Sequence, residues 1–294
     1  MNKIKQQFNN IFKQLKKLLK YDYYKQIFKK QNTIPMTLCI AKKYGRHVEF
    51  ASDSRLTFND NKHIDIGIKV FSIPLSLQDS QGVVIYQRQI GICVAGNTNA
   101  IYNVKDSIFE MLQNLQYANG WTDLSFKNIV SVIGNVFKHC VDKIIPVLMK
   151  DGMLEVIIGG ESLDSNTIEI YKLSIKTPIQ NFDNIEIKCE EILKSDGIEF
   201  IGSGSKIADD IYKNNSSLNI VQLMKKVIDS GNDKNVGGAI QFGEFINGNF
   251  NVKGIAEIDN VRQTTKYNLR GLDMYNTDFT EKDFIIKYNY KICL

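Results

Sequence analysis

The stretch "MTLCIAKK" (residues 36–43) sets a methionine and a threonine before a strand-like run, as at the beginning of a mature chain. Yet 35 residues precede it. A second strand-like run, "VEFASDSR" (48–55), follows a short connection in which Gly45 supplies the positive φ of a tight turn. A hairpin centred on Gly45 pairs residues whose numbers sum to 90. This register predicts Thr37 directly opposite Asp53, with Cβ atoms roughly 5 Å apart.

The first 31 residues are strongly basic and predict an amphipathic helix. They hold nine lysines and one acid, and their apolar residues recur at helical spacing: Ile4, Phe8, Ile11, Phe12, Leu15, Leu18 and Leu19. A continuous apolar centre and a small-residue cleavage site are both missing, so a secretory signal is not predicted. Pro35 has no backbone N–H and ends the pattern, which places a domain boundary after residue 33.

Three interpretations of residues 1–33 stay open. The helix packs on its own protein or on a partner subunit, because amphipathic helices commonly bury their apolar stripe. Alternatively, the lysine-rich segment 1–31 docks on an anionic membrane surface. The third interpretation is a removable pro-segment.

Composition and motifs exclude several function classes for the rest of the chain. Behind the front segment, 28 basic residues stand against 31 acidic ones, which disfavours nucleic-acid binding. The five cysteines form no CxxC pair and the three histidines lie far apart, so neither a disulfide framework nor a metal site is expected. Phosphate-loop, HExxH and dinucleotide motifs are missing, which predicts no cofactor. No apolar run reaches the roughly 18 residues of a membrane span, and we expect a cytoplasmic protein.

Strand-like and helical patterns alternate from residue 37 onward. Helices are predicted near 98–116, 123–149 and 217–230, and "EFIGSGSKIADDIYK" (199–213) leads from a strand through a Gly-Ser turn into another helix. Further strands are predicted over 68–74, 90–96, 153–162, 167–174, 237–246 and 250–258. This order predicts an α+β fold in which sheets are packed between helical layers.

The motifs "MTLCIAKK", "VEFASDSR", "IGIKVFSI" and "ICVAGNTN" together resemble the opening of proteasome β-type subunits, which are N-terminal nucleophile (Ntn) hydrolases. Thr37, Asp53 and Lys69 follow one another at intervals of sixteen residues, as do the nucleophile, acid and lysine of that family. The motifs "VIIGGESLDSNTIEIYKLS", "IGSGSKIADDIY" and "NDKNVGGAIQFGEF" follow in the family's order. The Met-Thr opening and the "VGG" ending are most similar to the bacterial ancestral β-subunit (Anbu) type. The resemblance implies a four-layer αββα sandwich over residues 34–258, followed by an extension over 259–294.

The resemblance also implies roles for the site residues. The Thr37 hydroxyl attacks an amide, and the chain's own α-amine, whose unperturbed pKa lies near 8, takes up its proton. The Lys69 ammonium lowers the proton affinity of this hydroxyl, and Asp53 orients Lys69 and balances its charge. The backbone N–H of Gly96 is the expected oxyanion donor.

Two further residues match auxiliary positions of the family. Ser203, in "GSGS", corresponds to the serine near the amine, and Asp233 corresponds to the auxiliary aspartate. Val236 stands where the family has a second serine, which weakens support for the amine. Taken singly, each of these residues is also compatible with an ordinary strand or turn position.

Activity of this kind requires a free amine on Thr37, whereas an attached segment leaves only an amide nitrogen. Three routes are open: self-cleavage between Met36 and Thr37, translation from Met36, or an uncut chain that serves as a scaffold. The leading hypothesis is therefore a threonine-type peptidase that acts on a peptide or protein and assembles into a homo-oligomeric ring or spiral. The alternative is a catalytically silent Ntn-fold scaffold or binding protein that docks through its basic helix. An amidase for a small metabolite is a third hypothesis.

Overall fold

The computed structural model of the chain describes residues 36–58, 62–117, 123, 125–148, 152–176, 185–259, 264–274 and 289–293. The predicted basic helix of residues 1–33 lies outside them. The described strands are β1 (Cys39–Tyr44), β2 (His47–Asp53), β3 (Leu56–Thr57), β4 (His63–Ile64), β5 (Val70–Gln78), β6 (Val84–Gly96), β7 (Leu115–Gln116), β8 (Leu154–Ser162), β9 (Thr167–Ile175), β10 (Ile187–Ile192), β11 (Gly197–Ile201), β12 (Ile240–Ile246), β13 (Asn249–Asp259), β14 (Thr264–Leu269), β15 (Leu272–Asp273) and β16 (Tyr290–Cys293). The described helices are α1 (Thr98–Leu112), α2 (Phe126–Leu148), α3 (Ser205–Asn214) and α4 (Ile220–Ser230).

The predicted opening hairpin is present, but its register was wrong by one residue. Opposed residues of β1 and β2 have numbers that sum to 91 rather than 90. The reason is a two-residue turn, in which Gly45 has φ +58° and Arg46 is the second residue. Thr37 therefore lies beyond the last paired residue of β1 and is not opposite Asp53 in the ladder.

The strands form two large and mostly antiparallel sheets, which confirms the α+β class. The first sheet has the strand order β11-β1-β2-β12-β13-β14-β15, and β16 pairs parallel with β13. The second sheet has the order β10-β9-β8-β6-β5-β7. Asp53 ends β2 in the first sheet, whereas Lys69 directly precedes β5 in the second. Asp53 and Lys69, which the sequence predicts to act together, are thus carried by different sheets.

Apolar residues cover both faces of each sheet. Helices α1 and α2 bury Ile108 and Phe137 against the second sheet. Helices α3 and α4 bury Ala208 and Leu223 against the first sheet. A third cluster, which includes Phe50, joins the facing sides of the two sheets. Burial on both faces explains why the central strands are nearly continuous apolar runs.

The predicted helices are present, with differences at their ends. Helix α1 stops at Leu112 because Leu115–Gln116 turns back to pair with the end of β5. Helix α4 has a capping box of Asn219 and Gln222, and Gly231 closes it with φ +62°. Strand β10 was not predicted, because its sequence "IKCEEI" is charged and lies on an edge of the sheet.

The segment 259–294 continues the first sheet where it is described. Strand β14 pairs antiparallel with β13, and β16 pairs parallel with it. Lys291 of β16 lies with Nζ 3.1 Å from Oε1 of the nearly buried Glu49 on β2. Among the described helices, none is both long and apolar enough to cross a membrane.

Candidate active site

Thr37 lies just before β1, is fully buried and has an unusual backbone conformation. Its φ is +145°, a value that residues with a Cβ rarely adopt. Such a conformation costs on the order of 1–3 kcal/mol and persists only where the surroundings impose it. The turn at Gly202 packs closely against Thr37, because a Cβ on that glycine would lie 2.4 Å from the Thr37 carbonyl oxygen.

The Thr37 hydroxyl contacts both an ammonium and a carboxylate. Lys69 Nζ donates a hydrogen bond to Thr37 Oγ1, which in turn donates to Asp53 Oδ1. Lys69 Nζ also lies 2.9 Å from Asp53 Oδ1, which closes a triangle of three polar groups. Lys69 is 2% exposed and Asp53 is fully buried, so solvent hardly screens this ion pair. The structure thus brings the predicted nucleophile, acid and lysine together.

Backbone amides hold the Asp53 carboxylate in place. Oδ1 also accepts from Leu38 N at 3.1 Å, while Oδ2 accepts from Arg55 N at 3.0 Å and from Gly237 N at 3.1 Å. Hydrogen bonds to an ionised group are roughly twice as strong as neutral ones. The carboxylate therefore has its partners in place before any substrate binds.

Ser203 lies beside the nitrogen of Thr37. Thr37 N donates to Ser203 Oγ at 3.3 Å, and the carbonyl oxygen of Thr37 accepts from Gly204 N at 3.1 Å. The turn is anchored on its other side, because Gly202 N donates to Glu155 Oε2 at 3.1 Å. The turn that contains "GSGS" therefore lies against the Thr37 nitrogen, which would be an amine if Thr37 were the first residue.

Gly96 ends β6 with φ +137°, where a Cβ would lie 2.3 Å from the carbonyl oxygen of Met153. Only glycine fits this position without strain. Two residues earlier, Val94 N donates to the carbonyl oxygen of Lys69 at 3.0 Å, so β6 runs alongside the site. Among the described residues, no hydrogen bond joins Gly96 to Thr37, and its role as oxyanion donor stays a prediction.

No hydrogen bond joins Asp233 to Thr37 within the described part of the chain. Its carboxylate accepts from Asn235 N at 2.9 Å and so stabilises its own turn. The residue lines a cavity of about 320 Å³ together with Val236 and with Gly237, whose N–H donates to Asp53 Oδ2. Val236 is buried, and its Cγ2 would lie 2.9 Å from a Cβ at position 204, so it packs against the "GSGS" turn.

Sequence reasoning missed two side chains at the site. Arg55 forms a bidentate ion pair with Asp65, at 2.9 and 3.1 Å, and this hydrogen bonding lowers the pKa of the Asp65 carboxyl. The second is Gln241, which binds the backbone on both sides of the Asp53–Lys69 pair. Its signal in the sequence is a lone amide inside the apolar strand "AIQF". The described residues contain no group of three acidic, histidine or cysteine side chains placed to hold a metal.

Two mostly antiparallel sheets with helices on both define an α+β fold, and a threonine lies beside a lysine and an aspartate just before its first strand. Solved structures agree, and the chain has the fold of the Anbu proteins. It is similar to Anbu (ancestral beta-subunit) from Yersinia bercovieri, with a TM-score of 0.52 and 13% identity, over 74% of this chain and 87% of that one. It is also similar to Anbu from Hyphomicrobium sp. strain MC1, with a TM-score of 0.51 and 18% identity, over 81% and 90% of the two chains.

The comparisons confirm the resemblance at the level of the fold. A mutant Anbu (Gly-1) from the same Hyphomicrobium strain matches with a TM-score of 0.52 and 17% identity, over 74% of this chain and 84% of that one. No protein-family model matches the sequence, and no curated protein matches it either. What the site does therefore has to be argued from its own geometry.

Proposed function

We propose that this chain is a proteasome-like threonine-type peptidase that hydrolyses amide bonds once Thr37 is the first residue. The observation that carries the proposal is the buried triangle of Thr37 Oγ1, Lys69 Nζ and Asp53 Oδ1. A hydroxyl needs an activating partner to become a nucleophile, and a desolvated ammonium in contact with it favours its deprotonated form. A buried threonine with only a structural role does not require a buried lysine beside its hydroxyl.

Each group in the site has a step in the reaction. The α-amine of Thr37 accepts the proton of Oγ1 while Oγ1 attacks the carbonyl carbon of the substrate amide. Lys69 stabilises the developing negative charge on Oγ1, and the Gly96 N–H is the proposed donor to the carbonyl oxygen. The C–N bond then breaks, and the departing amine takes the proton from the α-ammonium. Water hydrolyses the remaining ester and regenerates Thr37.

The attached front segment blocks this reaction, since an amide nitrogen cannot act as the base. Loss of residues 1–36 converts that nitrogen into an amine 3.3 Å from Ser203 Oγ, which is positioned to orient it. The strained φ of Thr37 supports cleavage at this bond, because a broken Met36–Thr37 bond no longer has to hold that conformation. Translation from Met36 followed by removal of the methionine is the other route to the same N-terminus.

The finer architecture belongs to the same proposal. Helices α1 and α2 pack on one sheet and α3 and α4 on the other, which supports the order αββα for residues 34–258. We propose a homo-oligomer, as a ring or a spiral, on the strength of the resemblance to proteasome β-type subunits. A peptide or protein is the proposed substrate.

Mass spectrometry and labelling test the peptidase. The purified full chain is expected to yield a species that begins at Thr37, and a β-lactone that acylates hydroxyl nucleophiles is expected to label that residue. The Thr37→Ala variant should lose the label, whereas the control Thr167→Ala, on the exposed end of β9, should keep it. An N-terminus that stays at Met1, together with no labelling of a version made to begin at Thr37, would refute the proposal.

A second candidate is a catalytically silent Ntn-fold scaffold that docks through its basic segment 1–31. It is favoured by the amide state of the Thr37 nitrogen in the intact chain and by Val236 at an auxiliary serine position. Deletion of residues 1–33 should then abolish association with anionic vesicles or with a partner protein. Unchanged association after the deletion contradicts this candidate.

A further inference from the structure

Gln241 uses all of its hydrogen-bonding capacity on the backbone that carries Asp53 and Lys69. Its Oε1 accepts from Lys69 N at 2.9 Å and from Val70 N at 3.2 Å. Its Nε2 donates to the carbonyl oxygens of Gly67 and, at 3.4 Å, Asp53. A side-chain amide offers two donors and one oxygen with two lone pairs, so this glutamine is fully satisfied.

The surroundings of Gln241 would otherwise favour an apolar residue. It is 1% exposed on β12, and its neighbours Ile240 and Phe242 belong to the cluster under α3 and α4. Successive side chains of a strand point to opposite faces, so Gln241 points into the space between the two sheets. Burying an amide there is unfavourable unless its partners are matched. The hydrogen bonds from Gln241 to the backbone offset the cost of burying its amide.

That backbone spans the two halves of the site. Asp53 lies on the first sheet, and Gly67 to Val70 lead into β5 of the second sheet. The amide of Lys69 has Gln241 as its hydrogen-bond acceptor, while the Lys69 carbonyl oxygen is held by Val94 N. One side chain on β12 therefore connects the strand end that carries the acid to the segment that carries the lysine.

We propose that Gln241 is a positioning residue for the reaction assigned to Thr37, holding Lys69 at the distance from Asp53 at which its ammonium reaches the nucleophile. This inference rests on the proposed function. It assigns Gln241 no contact with substrate. Its effect is to hold Lys69 Nζ at 2.9 Å from Asp53 Oδ1 across the junction of the sheets.

Substitution of Gln241 by methionine removes the four hydrogen bonds and keeps a similar volume. A displacement of about 1 Å at a catalytic group lowers rates roughly 100-fold, so kcat is expected to fall by that order in Q241M. KM should stay close to the wild-type value, because the residue does not touch the substrate. Gln241→Glu keeps the oxygen that accepts from Lys69 N but turns an acceptor toward the carbonyl oxygens of Gly67 and Asp53, so its kcat should also fall.

Two controls separate positioning from general loss of stability. Gln222→Met makes the same change at a half-buried position in the first turn of α4 and should leave kcat unchanged. Ile133→Ala opens a cavity in the core under α2 and serves as a destabilised control. A Q241M protein with wild-type kcat, or with a loss no greater than that of the Ile133→Ala protein, overturns the inference. The Gln241→Glu variant carries the test if Q241M does not fold.

A spectroscopic readout keeps this inference separate from the peptidase proposal. The 15Nζ resonance of Lys69, assigned with Lys69→Arg, should be protected from solvent exchange in the wild-type chain and exchange rapidly in Q241M. If the wild-type chain shows no activity but Lys69 behaves in this way, the peptidase fails while the structural role of Gln241 stands. If the resonance is unchanged in Q241M, positioning by Gln241 is refuted whether or not the chain is a peptidase.

Discussion

Replacing Asp53 by asparagine tests the buried ion pair most directly, since it removes one charge and preserves the shape of the side chain. The Lys69 ammonium, 2% exposed, would then remain in the interior without a counterion. Breaking a buried pair by removing one partner costs about 3–5 kcal/mol of the free energy of unfolding. The native chain is expected to have roughly 5–15 kcal/mol in total, so this loss is large.

Denaturant unfolding at neutral pH measures this loss, with Asp65→Asn as the matched control. The Asp65 side chain is 38% exposed and pairs with Arg55, so its removal should cost no more than about 1 kcal/mol. The double variant Asp53→Asn/Lys69→Met removes both buried charges and should recover part of the stability. Equal losses for the Asp53→Asn and Asp65→Asn proteins would show that Asp53 and Lys69 do not form a desolvated pair. The Asp53→Asn protein should also fail the labelling test at Thr37.

The remaining predictions concern acid stability and the "GSGS" turn. Hydrogen bonding from Arg55 lowers the pKa of Asp65, so its contribution to stability is present above the pKa of the unfolded chain. It is lost as pH falls through the lower folded pKa, and Asp65→Asn should flatten the acid side of the stability profile. Gly202 has φ +91°, and a Cβ there would lie 2.4 Å from a carbonyl oxygen, so Gly202→Ala should unfold at a lower denaturant concentration than the wild type. Gly134→Ala, where a Cβ meets open space, should not. Ser203→Ala should slow labelling of a chain that begins at the nucleophile about tenfold, the equivalent of one hydrogen bond.

The opening hairpin shows where sequence reasoning succeeds and where it fails. Its two strands and the glycine turn were predicted from local patterns and are present. The register was wrong, because the number of residues in the turn depends on which pair closes it. Thr37 still reaches Asp53, because its hydroxyl donates to Asp53 Oδ1 from a position outside the ladder. That contact lies outside the strand pairing and belongs to the tertiary structure.

The auxiliary residues show the same division. Ser203 lies at the Thr37 nitrogen, because the strand-to-helix turn that carries it packs on the start of β1. Asp233 instead hydrogen-bonds within its own loop, and no hydrogen bond to Thr37 is found among the described residues. A motif match assigns the residue to the loop but does not determine which way its side chain turns.

The sequence alone determined the four described helices, most of the long strands and the spacing of Thr37, Asp53 and Lys69, because periodicity and turn residues are properties of short stretches of chain. The tertiary structure decided how these three residues meet. Asp53 and Lys69 lie on different sheets, and Gln241, 172 residues after Lys69, joins their backbones. Contacts over such separations form only when both sheets pack face to face. Local sequence patterns do not predict how the two sheets pack.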